Sequence, residues 1–133
     1  MKYFLDTNIC IYYLKGMYPA IVKNLLSKNP DDIKIPAIVK AELLYGAQKS
    51  ITKEKSKERI LEFLSPFKII GFNDEATEIY GRTRQYLEKK GIIIGPNDLI
   101  IASTVLGTNG ILITKNIKEF MRIKELKIEN WTE

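Results

Sequence analysis

The chain has 133 residues, is 45% hydrophobic and 28% charged, and carries a net charge of +5. That is the balance of one globular domain of ordinary size, with a lean toward polyanionic partners. There is no histidine and only one cysteine, which excludes a Ser-His-Asp or Cys-His nucleophile, a histidine general base, a histidine-ligated zinc, a thiolate metal cage and an internal disulfide.

In chain order, "KYFLD" reads as a strand and "NICIYYLKG" as a short helix ended by Gly16. "PAIVKNLLSK" is a second helix, with Ile21, Val22, Leu25 and Leu26 at helical spacing. "NPDD" is a turn and "IKIP" a short strand. "AIVKAELLYGAQKS" is helical, with Pro36 near its first turn. "KEKSKERILEFLSP" is a charged helix stopped near Pro66, followed by the strand "FKIIGF". "NDEATEIYGRTRQYLEKKG" is a long helix capped by Asn73 or Asp74 and stopped at Gly91. "GPNDLIIASTVLG" is another helix, and "GILIT" and "LKIEN" are the last strands. Strands separated by helices predict an α/β fold with a mainly parallel sheet and helices on both faces.

The apolar runs are short and interrupted, so no membrane-spanning segment is expected. The N-terminus lacks a signal-peptide layout, and the single Cys10 suits a reducing compartment, so the expected location is the cytoplasm, with no membrane partner. Glycine-rich nucleotide-binding motifs are absent. Enzymatic chemistry in this chain must therefore rest on carboxylates: hard-cation catalysis, an acid/base pair, or a carboxylate nucleophile.

Functional groups of a parallel sheet gather at the carboxyl ends of its strands. Asp6 follows the first strand, and "ITKN" places Thr114 and Asn116 after the late strand. Asp98 falls in the first turn of a helix. Glu42 lies on the apolar stripe of its helix with Ile38, Val39 and Tyr45, where a carboxylate needs a cation or a hydrogen-bond donor beside it. Each residue also has a plainer structural reading. Asp6 and Asp98 suit helix N-termini, and "NIKE" fits a capping box from Asn116 to Glu119. Cys10 reads as a small core residue, and the "KEKSKER" run as a solvated helix face.

Taken together, "FLDTNICIYYLKG", "IPAIVKAELLYGAQKS", "IIGPNDLIIASTVL", "ILITKNIKEF" and "IENW" resemble the PIN-domain ribonucleases of the VapC toxin type in residue type, order and spacing, from Lys2 to Trp131. The resemblance implies a PIN-like three-layer α/β/α fold, a magnesium-dependent endoribonuclease (with manganese as a substitute), an RNA substrate and a VapB-type antitoxin. It carries the family's acidic positions to Asp6, Glu42 and Asp98, and places Asn116 where many relatives have Asp, with Glu119 three residues on. Asp6 and Asp98 are then expected as direct metal ligands, and Glu42 as a ligand or as the group that orients the attacking water. Thr7, Asn8, Asn97, Thr114, Asn116 and Glu119 are polar supports or phosphate contacts. The helix N-termini behind Asp6 and Asp98 are expected to help keep both acids ionised.

Lys15, Lys115, Lys118 and Arg122 flank these acids in sequence and are the RNA-contact candidates. The runs "AIVKNLL" and "LIIASTVL" read as surplus apolar surface, and VapC-like proteins usually dimerise, so a homodimer is expected. Three rival readings share the strand-end Asp. A haloacid-dehalogenase-type phosphatase wants a second Asp at the position held by Asn8. A receiver-type phospho-acceptor domain matches the late Thr114–Lys115 pair but leaves Glu42 unexplained. A flap-type DNA nuclease needs insertions for which this chain has no room.

Overall fold

The structure is a computed structural model describing every residue from Met1 to Glu133. Five short strands form one sheet: β1 (Tyr3–Leu5), β2 (Ile33–Pro36), β3 (Lys68–Ile70), β4 (Ile111–Ile113) and β5 (Lys127–Glu129). Seven α-helices flank it: α1 (Thr7–Leu14), α2 (Pro19–Ser27), α3 (Ala37–Gln48), α4 (Lys53–Leu64), α5 (Asp74–Lys89), α6 (Pro96–Gly107) and α7 (Ile117–Phe120). The expected turn at "NPDD" is one turn of 3-10 helix over Pro30–Asp32. The layers are those of a PIN-like α/β/α fold, and every strand pair is parallel.

The strand order is β3-β2-β1-β4-β5. β1 is central. The chain leaves it outward to β2 and β3, then returns through α5 and α6 to pair β4 on its other side. The reversal makes the carboxyl ends of β1 and β4 the topological switch point, where a parallel sheet opens a crevice. Leu5 pairs with Ile113 in this register, so Asp6 and Thr114 emerge side by side.

β1 is held rigidly. Phe4 and Leu5 are almost wholly buried, each worth roughly 1.5–3 kcal/mol relative to exposure. Gly110 packs against Phe4 so closely that a Cβ there would stand 2.6 Å from the ring. Helix boundaries follow local chemistry. Asn73, not Asp74, caps α5 by accepting from the Ala76 N–H. Gly16 and Gly91 end α1 and α5 at φ values of 69° and 71°, a conformation that favours glycine.

α6 differs from its expected role. Leu99, Ile101, Ala102, Ser103, Thr104 and Val105 are all buried, so most of "LIIASTVL" is spent inside the core, with Ile100 and Leu106 partly exposed. Ser103 and Thr104 are tolerated there because their hydroxyls donate to the Leu99 and Ile100 carbonyls one turn back. In α2, Ile21 and Leu25 face the core while Leu26 is 77% exposed.

Candidate active site

Asp6 stands at the end of β1 and caps α1, its Oδ1 accepting from the Ile9 N–H at 2.9 Å. It is only 6% exposed. Burial pushes its carboxyl up to about 6; the Thr114 hydroxyl and the Ile9 N–H pull it down, and the Glu42 charge adds a smaller upward push. The Ile9 N–H at the helix N-terminus favours the ionised form, as expected, although desolvation is the larger effect. Thr114 is fully buried. Its oxygen accepts from the Asn116 N–H at 3.0 Å, which leaves its own proton to face Asp6.

Asp98 lies in the first turn of α6. Its carboxyl is also pushed up to about 6, first by burial, then by the charge of Glu119 and a hydrogen bond shared with it, then by Asp6 and Glu42. Asp98 thus feels the charges of Glu119, Asp6 and Glu42, and Asp6 that of Glu42.

Glu42 rides on α3, half-buried, and its partners are donors rather than a cation. Thr7, the first residue of α1, donates from Oγ1 to its Oε1 at 2.6 Å, and Asn97 donates from Nδ2 to its Oε2 at 3.3 Å. Three helices, α1, α3 and α6, therefore meet on this carboxylate. Glu119 is oriented by Asn116, whose Nδ2 donates to its Oε2 at 2.6 Å. The capping-box reading of "NIKE" is corrected here. Asn116 makes no side-chain cap on α7, and its own N–H is already given to Thr114, so Glu119 is free to face Asp98.

None of these four acids has a basic partner; the structure's single ion pair joins Arg84 to Glu88 on the surface of α5. Acids crowded without a counter-charge, with the Asp6 and Asp98 carboxyls raised, are a donor set for a hard cation. As placed, no three of them close round a single ion. Magnesium asks for less, since it keeps several waters and takes one or two carboxylates directly. The oxygen-only donor set fits magnesium or manganese and suits zinc poorly.

The remaining candidates are arranged unevenly. Asn8 is exposed, and its side chain makes no hydrogen bond. Lys15 caps the far end of α1, about 14 Å along the helix from Asp6 by its rise per residue. Lys115 is exposed, and its Nζ donates to the Tyr18 hydroxyl at 2.8 Å while lying 5.0 Å from the centre of that ring. Lys118 projects from α7 into solvent. Arg122 donates to the Ile93 carbonyl at 3.2 Å, just before α6. Sequence reasoning missed Tyr18, a non-glycine residue at a φ of 55°. Its only signal was a turn at "GMYP", and a residue before proline ordinarily favours extended backbone.

The PIN domain family matches residues 3–126. The chain is 48% identical over 133 residues to Ribonuclease VapC2 of Rickettsia felis, with 98% of each chain covered. It is 32% identical over 131 residues to the tRNA(fMet)-specific endonuclease VapC of Salmonella typhimurium, again with 98% of each covered. Among solved structures, it matches a chain of VapBC2 from Rickettsia felis bound to a DNA fragment from their promoter, with a TM-score of 0.91 and 47% identity, covering 98% of this chain and 99% of that one. The rival readings find no support. A receiver-type sheet has the order 2-1-3-4-5, whereas β1 here is central with β4 beside it. The strand order, the acids at its switch point and these likenesses converge: the chain belongs to the PIN-domain family, among the ribonucleases of VapC type.

Proposed function

We propose that the chain is a magnesium-dependent endoribonuclease, with manganese able to substitute, and the toxin of a VapBC-type toxin–antitoxin pair. The observation that carries this reading is the cluster of Asp6, Glu42, Asp98 and Glu119 at the β1–β4 switch point with no basic partner. Asp6 and Asp98 are the residues that would hold the cation. When bound, it lowers the pKa of a coordinated water and offsets charge on the phosphate. Glu42, fixed by Thr7 and Asn97, orients the attacking water from the α3 side. Glu119, aimed by Asn116, supports the same centre from α7. Lys115, Lys118 and Arg122 stand on the segment that follows β4 and contact RNA phosphates, contributing affinity that falls with salt.

Transfer RNA is the first substrate class to try, since the Salmonella typhimurium relative bears the name tRNA(fMet)-specific endonuclease. The partner is a VapB-type antitoxin. A basic side chain inserted among the four acids would pair with them and exclude the cation. The exposed apolar side chains Leu26, Tyr45 and Ile93 remain for that partner or for a second copy, and the expected assembly is a homodimer. No helix is long and apolar enough to cross a membrane.

The deciding assay incubates purified protein with RNA and added magnesium, with and without EDTA. Internal cuts that need the cation support the reading, and intact RNA under both conditions contradicts it. Light scattering at micromolar concentration tests the dimer; a monomer mass contradicts it.

A further inference from the structure

Away from the acids, an open groove of about 690 Å³ runs between α5 and the segment joining α7 to β5. Its floor is apolar, from Ile79, Leu106 and Ile123, and its rim carries Arg82, Tyr86 and Lys124. Lys90 lies 4.7 Å from the centre of the Tyr86 ring. Tyr86 is 41% exposed, and its phenol is held below the ordinary tyrosine range by a hydrogen bond with Lys90 and by the nearby Lys124 charge. Among the groove residues the one acid is Glu125. An exposed aromatic among three cations is the arrangement that receives a nucleic-acid strand, phosphates on the cations and a base on the ring.

The chain links the groove to the acidic site. Lys124 sits two residues from Arg122, which bonds to the Ile93 carbonyl. Ile93 in turn belongs to the short loop that leads from Lys90 to α6 and Asp98. Arg122, Lys124 and Lys90 therefore stand on the two segments that meet at the loop before α6.

We infer that Arg82, Tyr86, Lys90 and Lys124 form a second RNA-binding surface, which grips substrate beyond the nucleotides at the cut. This inference rests on the ribonuclease reading. RNA is favoured over a protein partner because the rim cations Arg82 and Lys124, with Lys90 beside the Tyr86 ring, offer a polyanion three charges and one aromatic.

The test compares wild type with the double variant Lys90→Glu/Lys124→Glu and, as a control of equal charge change, Lys53→Glu/Lys55→Glu on α4. The substrates are bulk bacterial transfer RNA and a tetranucleotide. The expected result is a KM for transfer RNA raised at least tenfold in the α5 variant, a loss larger than on the tetranucleotide, and a flatter salt dependence. Tyr86→Ala should raise the same KM and Tyr86→Phe should restore it, because stacking needs the ring and not the hydroxyl. Equal effects of the two double variants, or equal losses on both substrates, overturn the inference. So does lost affinity for the antitoxin with an unmoved KM for transfer RNA. Failure of the ribonuclease reading itself looks different: wild type would cut neither substrate.

Discussion

Thr7 on α1 donates a 2.6 Å hydrogen bond to Glu42 on α3, across 35 residues of chain. The bond ties the residue after the β1 carboxylate to the acid of another helix, so the position of Glu42 depends on where β1 ends. Thr7→Val should cost about 1.5 kcal/mol, the worth of a hydrogen bond to a charged group, and lower the cleavage rate about tenfold by releasing Glu42. Thr7→Ser should recover both. Thermal melts and single-turnover kinetics read the two effects, and a Thr7→Val enzyme at full rate would remove Thr7 from the positioning of Glu42.

Removing divalent cations should make stability fall as pH rises toward neutrality. Asp6 and Asp98 have folded-state values near 6 against 3.8 as the ordinary value. Folding therefore takes up protons in that window. The stability from this source is complete below 3.8 and is lost as pH rises through about 6. Melts in EDTA across this range should show the decline, and magnesium should reverse it at neutral pH by binding the folded state. A flat profile in EDTA would mean that the two acids stay ionised at no cost.

The Asn116–Glu119 contact gives a third outcome. Asn116 makes no cap, so Asn116→Ala should change the melting temperature little. It should slow cleavage by freeing Glu119. Asn116→Asp would set a second carboxylate 2.6 Å from Glu119; it should destabilise the cation-free protein and retain activity when magnesium is present. Glu119→Gln should slow the reaction less than Asp6→Asn. An unchanged rate and magnesium midpoint in Asn116→Ala and Glu119→Gln would leave Asp6, Glu42 and Asp98 as the whole charged site.

Gly110→Ala should lower stability by about 1–3 kcal/mol, the usual cost of overpacking a filled core. Its Cβ would meet the Phe4 ring at 2.6 Å and the Lys2 carbonyl at 3.1 Å. Because β4 begins at the next residue, activity should fall beyond what the melt explains, as Thr114 shifts against Asp6. A variant as stable as wild type would show that β1 and β4 part at no cost.

Much of this was readable beforehand, for physical reasons. A strand that ends on an acid and runs into helix-capping residues marks a strand terminus, and "FLDTN" does so. Glu42 stood out because an acid on an apolar stripe needs a partner; the partners proved to be Thr7 and Asn97. Glu119 was harder, since the same three-residue spacing serves a capping box and an orienting amide, and only the side-chain geometry separates them. "LIIASTVL" misled because a mostly apolar helix reads alike whether its surface is spare or largely enclosed. Tyr18 with Lys115, 97 residues apart, and Tyr86 with Lys124 were not legible at all, because nothing local in the sequence brings those segments together.

The central claim is that a cation held at the β1–β4 switch point cuts RNA, and a magnesium titration of cleavage by wild type beside Asp6→Asn tests it most directly. Asn at this position can still accept from the Ile9 N–H and carries no buried charge, so the variant should melt at or above the wild-type temperature at neutral pH. Its cleavage rate should fall by at least about two orders of magnitude, since the cation loses a charged ligand, and wild-type cleavage should cease in EDTA. Cleavage that persists in EDTA, or a fully active Asp6→Asn, would contradict the account.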